Sequence, residues 1–197
     1  MKFLGVLSLL AIAPLTSGCV SALFAAGTET AVVVAQERSV GAAVDDAGIY
    51  FKIKDAFANQ SNYKELLTGI DVKSVEGRVL LTGNVSKVET QIEAVRLVWQ
   101  VTGVKEVIDE INVDDKSGFW NYTRDVWISA QLRSRLLFAK DIRSINYSVI
   151  TVNQVVYLMG VAQDSDELRR ATYIASTTSY VKQVVSYVRF KDDPRRE

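Results

Sequence analysis

The sequence predicts an α+β protein built from two tandem copies of one unit. Each unit reads helix–strand–strand–helix–strand, with a three-stranded mixed sheet packed on two helices. Three observations carry this. The stretches 71–84 (DVKSVEGRVLLTGN) and 148–161 (SVITVNQVVYLMGV) align without a gap at an offset of 77 residues, and each alternates apolar and polar residues around a two-residue turn. The same offset runs on through two helical segments, 85–101 and 162–178, and into 104–108 and 181–185, which each begin a last strand. Upstream, at an offset of 79, Ile49, Ile53 and Phe57 match Ile128, Leu132 and Leu136, spaced to form one apolar helix face. Two helices on one face of a short sheet bury all of these stripes, although a unit this small is marginal by itself.

At the start of the chain, Lys2 precedes an apolar run from Phe3 to Leu15, which is too short for a bilayer span of about 20 residues. Thr16, Ser17 and Gly18 then lead into Cys19, the one cysteine in the chain, so no intrachain disulfide can form. The segment resembles a bacterial lipoprotein signal, with cleavage before an acylated Cys19. It departs from that pattern at Thr16, where Leu is usual; Leu15 stands one place earlier. An ordinary secretory signal is the other reading, but an unpaired cysteine in an exported chain favours acylation. The chain then divides into a signal peptide (1–18), a lipidated N-terminus and linker (19–45), a first domain (46–114), a linker (115–123), a second domain (124–191) and a tail (192–197).

Val20–Gln36 is rich in Ala, Val and Thr and reads as a tether, with AVVVA at 31–35 open to a short strand. Asp45 and Asp46 are placed to cap a helix starting near Ala47. The first unit has two extra residues between Asn59 and Gly69. Glu76-Gly77 suits a type I′ turn, and Asn153-Gln154 is a weaker version of it. Trp99, beside Val95 and Val98, is expected in the core. In the second unit Asp164 and Glu167 form a capping-box pattern. Tyr147, Tyr157, Tyr173, Tyr180 and Tyr187 suit half-buried positions, and Arg195-Arg196 a solvated, disordered tail. The aromatics Phe119, Trp120 and Tyr122 fall in the connection between units.

The helix expected over Asp125–Ala139 breaks the symmetry. Ile128, Leu132, Leu136 and Ala139 share an arc of roughly 80° that faces the core. The opposite side carries Val126, Trp127, Ala130, Leu137 and Phe138, diluted only by Ser134, with Arg133 and Arg135 near the two borders. In the first unit the corresponding side holds Ala47, Gly48, Phe51, Asp55, Ala58 and Asn59, a solvated face with one exposed aromatic. Gly48 stands where the second copy has Trp127, Asp55 where it has Ser134, and Asn59 where it has Phe138. Three occupants fit the second copy's face. Lipid headgroups would take Trp127, Leu137 and Phe138, with phosphates at the arginines. The first unit or the linker aromatics would make a rigid two-domain body. Another protein or a second copy is the third.

Composition narrows the function. Hydrophobic residues make up 48% and charged residues 23%, as in a globular protein, and the net charge of zero gives no bulk attraction for nucleic acid. There is no histidine, which removes the usual neutral-pH base, zinc ligand and triad member. No phosphate loop, nucleophile elbow or dinucleotide fingerprint is present. The acidic pairs Asp45-Asp46 and Asp114-Asp115 lie at segment boundaries, where capping and solubility account for them. No catalytic residue, cofactor or metal site is expected.

Taken together, Cys19, the RSVG…DD stretch at Arg38–Asp46, the strand ends VLLTG and VYLMG, and DVWI…LRSRLL at Asp125–Leu137 resemble the BON domain in duplicate. The arrangement is similar to the dual-BON-domain outer-membrane lipoproteins of Gram-negative bacteria, of the division- and outer-membrane-linked phospholipid-binding type. The resemblance covers nearly all of the chain after Cys19. It implies a non-catalytic protein that binds phospholipid and supports outer-membrane integrity. By the same resemblance, Val20 in place of Asp points to the outer membrane, periplasmic face. The implied site is Val126, Trp127, Ala130, Arg133, Ser134, Arg135, Leu137 and Phe138. The implied partner is anionic phospholipid, phosphatidylglycerol or cardiolipin, with envelope-biogenesis proteins as alternative partners of the same face.

Overall fold

In the computed structural model, residues 37–114 and 119–196 are described, with side chains of the second stretch from Tyr122 onward. Residues 1–36, which hold the expected signal peptide, Cys19 and the expected tether with its AVVVA run, and residues 115–118 and 197 lie outside the described residues.

The first unit comprises α1 (Val40–Ala58), α2 (Tyr63–Gly69), β1 (Ile70–Val75), β2 (Arg78–Val85), α3 (Val88–Trp99) and β3 (Glu106–Val113). The second comprises α4 (Phe119–Phe138), a 3-10 turn (Ser144–Asn146), β4 (Tyr147–Val152), β5 (Val155–Ala162), α5 (Ser165–Ser176) and β6 (Gln183–Phe190). Each sheet is mixed: the hairpin strands pair antiparallel, and the last strand returns parallel to the middle one. A parallel return needs a crossover, and α3 and α5 supply it. The registers are equivalent, Arg78 opposite Glu106 in one sheet and Val155 opposite Gln183 in the other. The stretch that holds the first unit's two extra residues forms α2, whose Leu66 is fully buried in the first core.

Both hairpin turns have positive φ at their two central residues, 56° and 77° at Glu76-Gly77 and 52° and 69° at Asn153-Gln154, as a type I′ turn requires. A buried carboxylate holds each one. Asp46 accepts from Ser74 Oγ (2.7 Å), the Glu76 N–H (2.8 Å) and the Gly77 N–H (2.9 Å). Asp125, its counterpart, accepts from the N–H groups of Asn153 (2.7 Å) and Gln154 (2.8 Å). Asp46 is therefore no helix cap. α1 begins a full turn and more upstream at Val40, with Ser39 Oγ accepting from the Ala42 N–H at 3.1 Å. The acidic side chain is instead consumed in a long-range bond that local sequence does not reveal. Likewise α4 begins at Phe119, so part of the expected linker is helix.

The two units join through their sheets. One sheet face buries Ile70, Val79, Leu81 and Ile111 against α1 and α3, and its sister buries Val149, Val156 and Leu158 against α4 and α5. The opposite faces meet each other: Val75, Leu80 and Ile108 pack with Val152, Tyr157 and Met159. The result is four layers, helices outermost. Arg78, 6% exposed, closes this interface by donating to Glu106 Oε2 and to the Tyr187 carbonyl, both at 2.8 Å, and Arg189 reaches the same Glu106 oxygen at 2.8 Å. Tyr187 donates its hydroxyl to Glu110.

Three further expectations change. The tail is not loose: Arg196 pairs with Glu76 at 2.7 Å and donates to the Glu37 carbonyl, because the turn of one unit and the end of the other converge there. Trp99 is not core but 54% exposed, since Leu97 and Val98 take the buried side of α3. Tyr147 and Tyr157 are buried, whereas Tyr173 and Tyr180 are exposed.

Candidate functional site

Because sheet meets sheet, both first helices lie on the outside. The outward face of α4 does not serve as the domain interface; the rigid two-unit body comes from the sheets. Ile128, Leu132 and Leu136 are fully buried, while Val126, Ala130, Ser134, Leu137 and Phe138 are exposed. Leu137 and Phe138 are 65% and 81% exposed, and Trp127, the largest side chain, remains 48% exposed. Tyr122 extends the apolar surface one turn toward the start of the helix, also exposed.

Trp127 stands edge-to-face on Tyr180, ring centroids 5.6 Å apart and planes at 71°. Tyr180 sits at φ +70° in the turn between α5 and β6, a conformation that is uncommon for a non-glycine residue. Its counterpart is Gly103, φ +102°, where a Cβ would come within 3.2 Å of Ile49. Both members of the aromatic pair are thus glycine, Gly48 and Gly103, in the first unit. Sequence reading missed Tyr180 as part of the site; the 77-residue alignment against Gly103 was the available signal.

The two arginines differ. Arg135 donates to the Ile174 carbonyl (2.9 Å), Thr178 Oγ1 (2.7 Å) and Thr177 Oγ1 (3.0 Å). It thereby satisfies the C-terminal end of α5, where a cation also meets the helix dipole favourably. Arg133 is exposed and makes one bond, from Nη2 to the Val149 carbonyl at 2.7 Å. The border cation open to a ligand is Arg133, and Arg135 fixes the rim.

The first unit is less bland than its alignment suggested. The upstream extension of α1 adds exposed Val40 and Val44 to Phe51. On α3, exposed Val88, Ile92 and Trp99 with half-buried Val95 fall on one helical stripe. The aligned residues of α5 are Ser165, Arg169, Ser176 and Thr172, so this stripe belongs to the first copy alone. Among the described residues no group of three or more His, Cys, Asp or Glu could hold a metal ion, and no helix is long and apolar enough to cross a membrane.

A duplicated α+β unit that shows helices outward and sheets inward defines a tandem two-domain module with exposed aromatics on its helices. The BON domain family matches residues 45–115 and 124–192, and the chain belongs to that family, with two copies. It is 43% identical over 155 residues to an uncharacterized protein of Anaplasma centrale, covering 78% of this chain and 99% of that one. It is 31% identical over 175 residues to the outer membrane lipoprotein DolP of Haemophilus influenzae, covering 89% and 90%. It is 30% identical over 156 residues to the osmotically-inducible protein Y of Escherichia coli K12, covering 78% and 77%.

Proposed function

We propose that this protein is an outer-membrane-associated lipoprotein, anchored at the periplasmic face through acylated Cys19, whose second BON domain contacts anionic phospholipid. The contact is made by Val126, Trp127, Ala130, Arg133, Ser134, Leu137 and Phe138, with Arg135 holding the rim. The observation that carries this reading is the exposed Trp127–Tyr180 pair, with Leu137 and Phe138 exposed about three turns further along a helix whose core side is already satisfied. Amphipathic aromatics favour the interface between headgroups and acyl chains. Similarity to an outer membrane lipoprotein over most of the chain supports the location. Eighteen steps of chain separate Cys19 from Glu37, enough for a reach of about 60 Å when extended. Two or more acyl chains make such an anchor stable, and the helix adds a second contact with the same surface. The test is cosedimentation of a non-acylated Cys19→Ser form with phosphatidylglycerol-containing vesicles, which Trp127→Glu should abolish. Unchanged binding by that variant would refute the site.

A second reading, protein contact in envelope biogenesis, is favoured by one separate observation, the stripe on α3. Glu89, Glu93 and Arg96 lie along one flank of it, Arg96 pairing with Glu93, a mixed-charge border that fits a protein surface with an apolar centre.

A further inference from the structure

We infer that Lys73 of the first domain and Arg133 of the second together form the phosphate-recognition point for the lipid, at a groove between the two domains. This rests on the phospholipid reading above and names where that reading's specificity resides.

Lys73 and Arg133 line one groove of about 790 Å³, walled by β1 and the end of β2 on one side and by α4 and β4 on the other. Lys73 is half-buried, and its ammonium makes no hydrogen bond or ion pair with any described residue. A desolvated, unpaired ammonium is costly, and a bound anion removes that cost. Its surroundings sharpen the point. Burial holds the Lys73 pKa below its ordinary value, Arg38 and Arg133 push it the same way, and Asp46 alone opposes them. Asp46 is already engaged by the turn N–H groups, Ser74 and Arg38. Of the carboxylates that line the groove, Asp125 accepts from the second hairpin turn, and Asp71 is exposed, where water screens its charge.

Arg133 keeps donors beyond the one that it gives to Val149. Val126 and Tyr122 belong both to the groove and to the exposed side of α4. A phosphate seated between Lys73 and Arg133 therefore leaves its lipid chains on the side where Trp127 and Leu137 are exposed. The partner cation that sequence placed at Arg135 is supplied instead across the domain interface. Recognition then depends on the sheet-to-sheet packing that brings the two domains together.

The test uses the whole non-acylated chain with vesicles of phosphatidylcholine alone and with added phosphatidylglycerol. Lys73→Gln should lower affinity for the anionic vesicles about fivefold, the weight of one basic side chain at such a surface, with a Tm no lower than the parent's, since the uncompensated ammonium is removed. Lys73→Arg should restore the anionic preference. If Lys73→Gln binds phosphatidylglycerol vesicles like the parent while Trp127→Glu does not, this inference fails and the helix site stands. If Trp127→Glu also binds unchanged, the lipid reading itself fails. Amide shifts at Lys73 and Arg133 that saturate with inorganic phosphate, and that do not respond to lipid, would assign the point to free phosphate and overturn the lipid source.

Discussion

Trp127 and Tyr180 meet edge-to-face at 5.6 Å, and their sister positions in the first domain, Gly48 and Gly103, are both glycine. The two domains share turn, register and core, so this pair marks a place where they differ at two contacting positions together. Tyr180 keeps the left-handed backbone that Gly103 adopts without side-chain strain. A tyrosine held there at a cost, and still exposed, is what a contact surface needs and a core does not.

Tyr180→Gly should therefore separate folding from binding. Relief of the backbone, on the order of 1 kcal/mol, offsets loss of an aromatic pair worth about 0.5–1.5 kcal/mol. Urea unfolding should move by less than about 1 kcal/mol, whereas partition onto phosphatidylglycerol vesicles should fall severalfold. Full vesicle binding by the glycine variant would show the pair to be structural only.

Asp46→Ala should be among the most damaging single changes. It leaves two turn N–H groups and the Ser74 hydroxyl without their acceptor in a buried setting, at a cost of about 3 kcal/mol. Asp125→Ala removes two such bonds and should cost somewhat less. Equilibrium denaturation of both variants checks the order.

Arg135→Gln should destabilise the second domain by about 2 kcal/mol through the α5 terminus, and change the salt dependence of vesicle binding little. Arg133→Gln should do the reverse. Titrating binding against ionic strength for both variants distinguishes the rim from the ligand contact.

Acid should weaken the first domain through Glu65. Its carboxylate accepts from the Ser86 hydroxyl and N–H and from Thr90, and those bonds hold its pKa below the ordinary 4.5. A carboxylate with a depressed folded value contributes stability that is complete above the unfolded value and fades as pH falls through the folded one. Denaturation midpoints from about pH 6 to about pH 3 should therefore decline less steeply for Glu65→Gln than for the parent.

Trp99→Glu should leave stability within about 0.5 kcal/mol, since the side chain is largely solvated, and leave vesicle binding intact. Photocrosslinking from position 92, exposed on the same stripe, should give protein adducts that the Trp99→Glu variant loses. Lipid adducts instead would assign α3 to the membrane.

The periodicities were legible because burial imposes them locally. Ile49, Ile53, Phe57 and their counterparts are buried where their spacing placed them, and the repeat predicted both sheets and the asymmetry of the first helices. Trp99 escaped because a tryptophan beside two valines reads alike whether it faces in or out; the pitch of α3 gave the inside to Leu97 and Val98. Asp46, Arg135 and Arg196 escaped for another reason. Each polar group is satisfied by a partner far away in the chain: turn amides 30 and 31 residues on, a carbonyl 39 residues on, and a carboxylate 120 residues back. The sequence by itself determined two like units, their cores, their hairpins and the apolar surplus on α4. Only the tertiary structure decided that sheet packs on sheet, which leaves α4 outward and brings Lys73 to the same groove as Arg133. That choice depends on which surfaces fit together and which charges remain unpaired, and neither is written in the order of residues along one element.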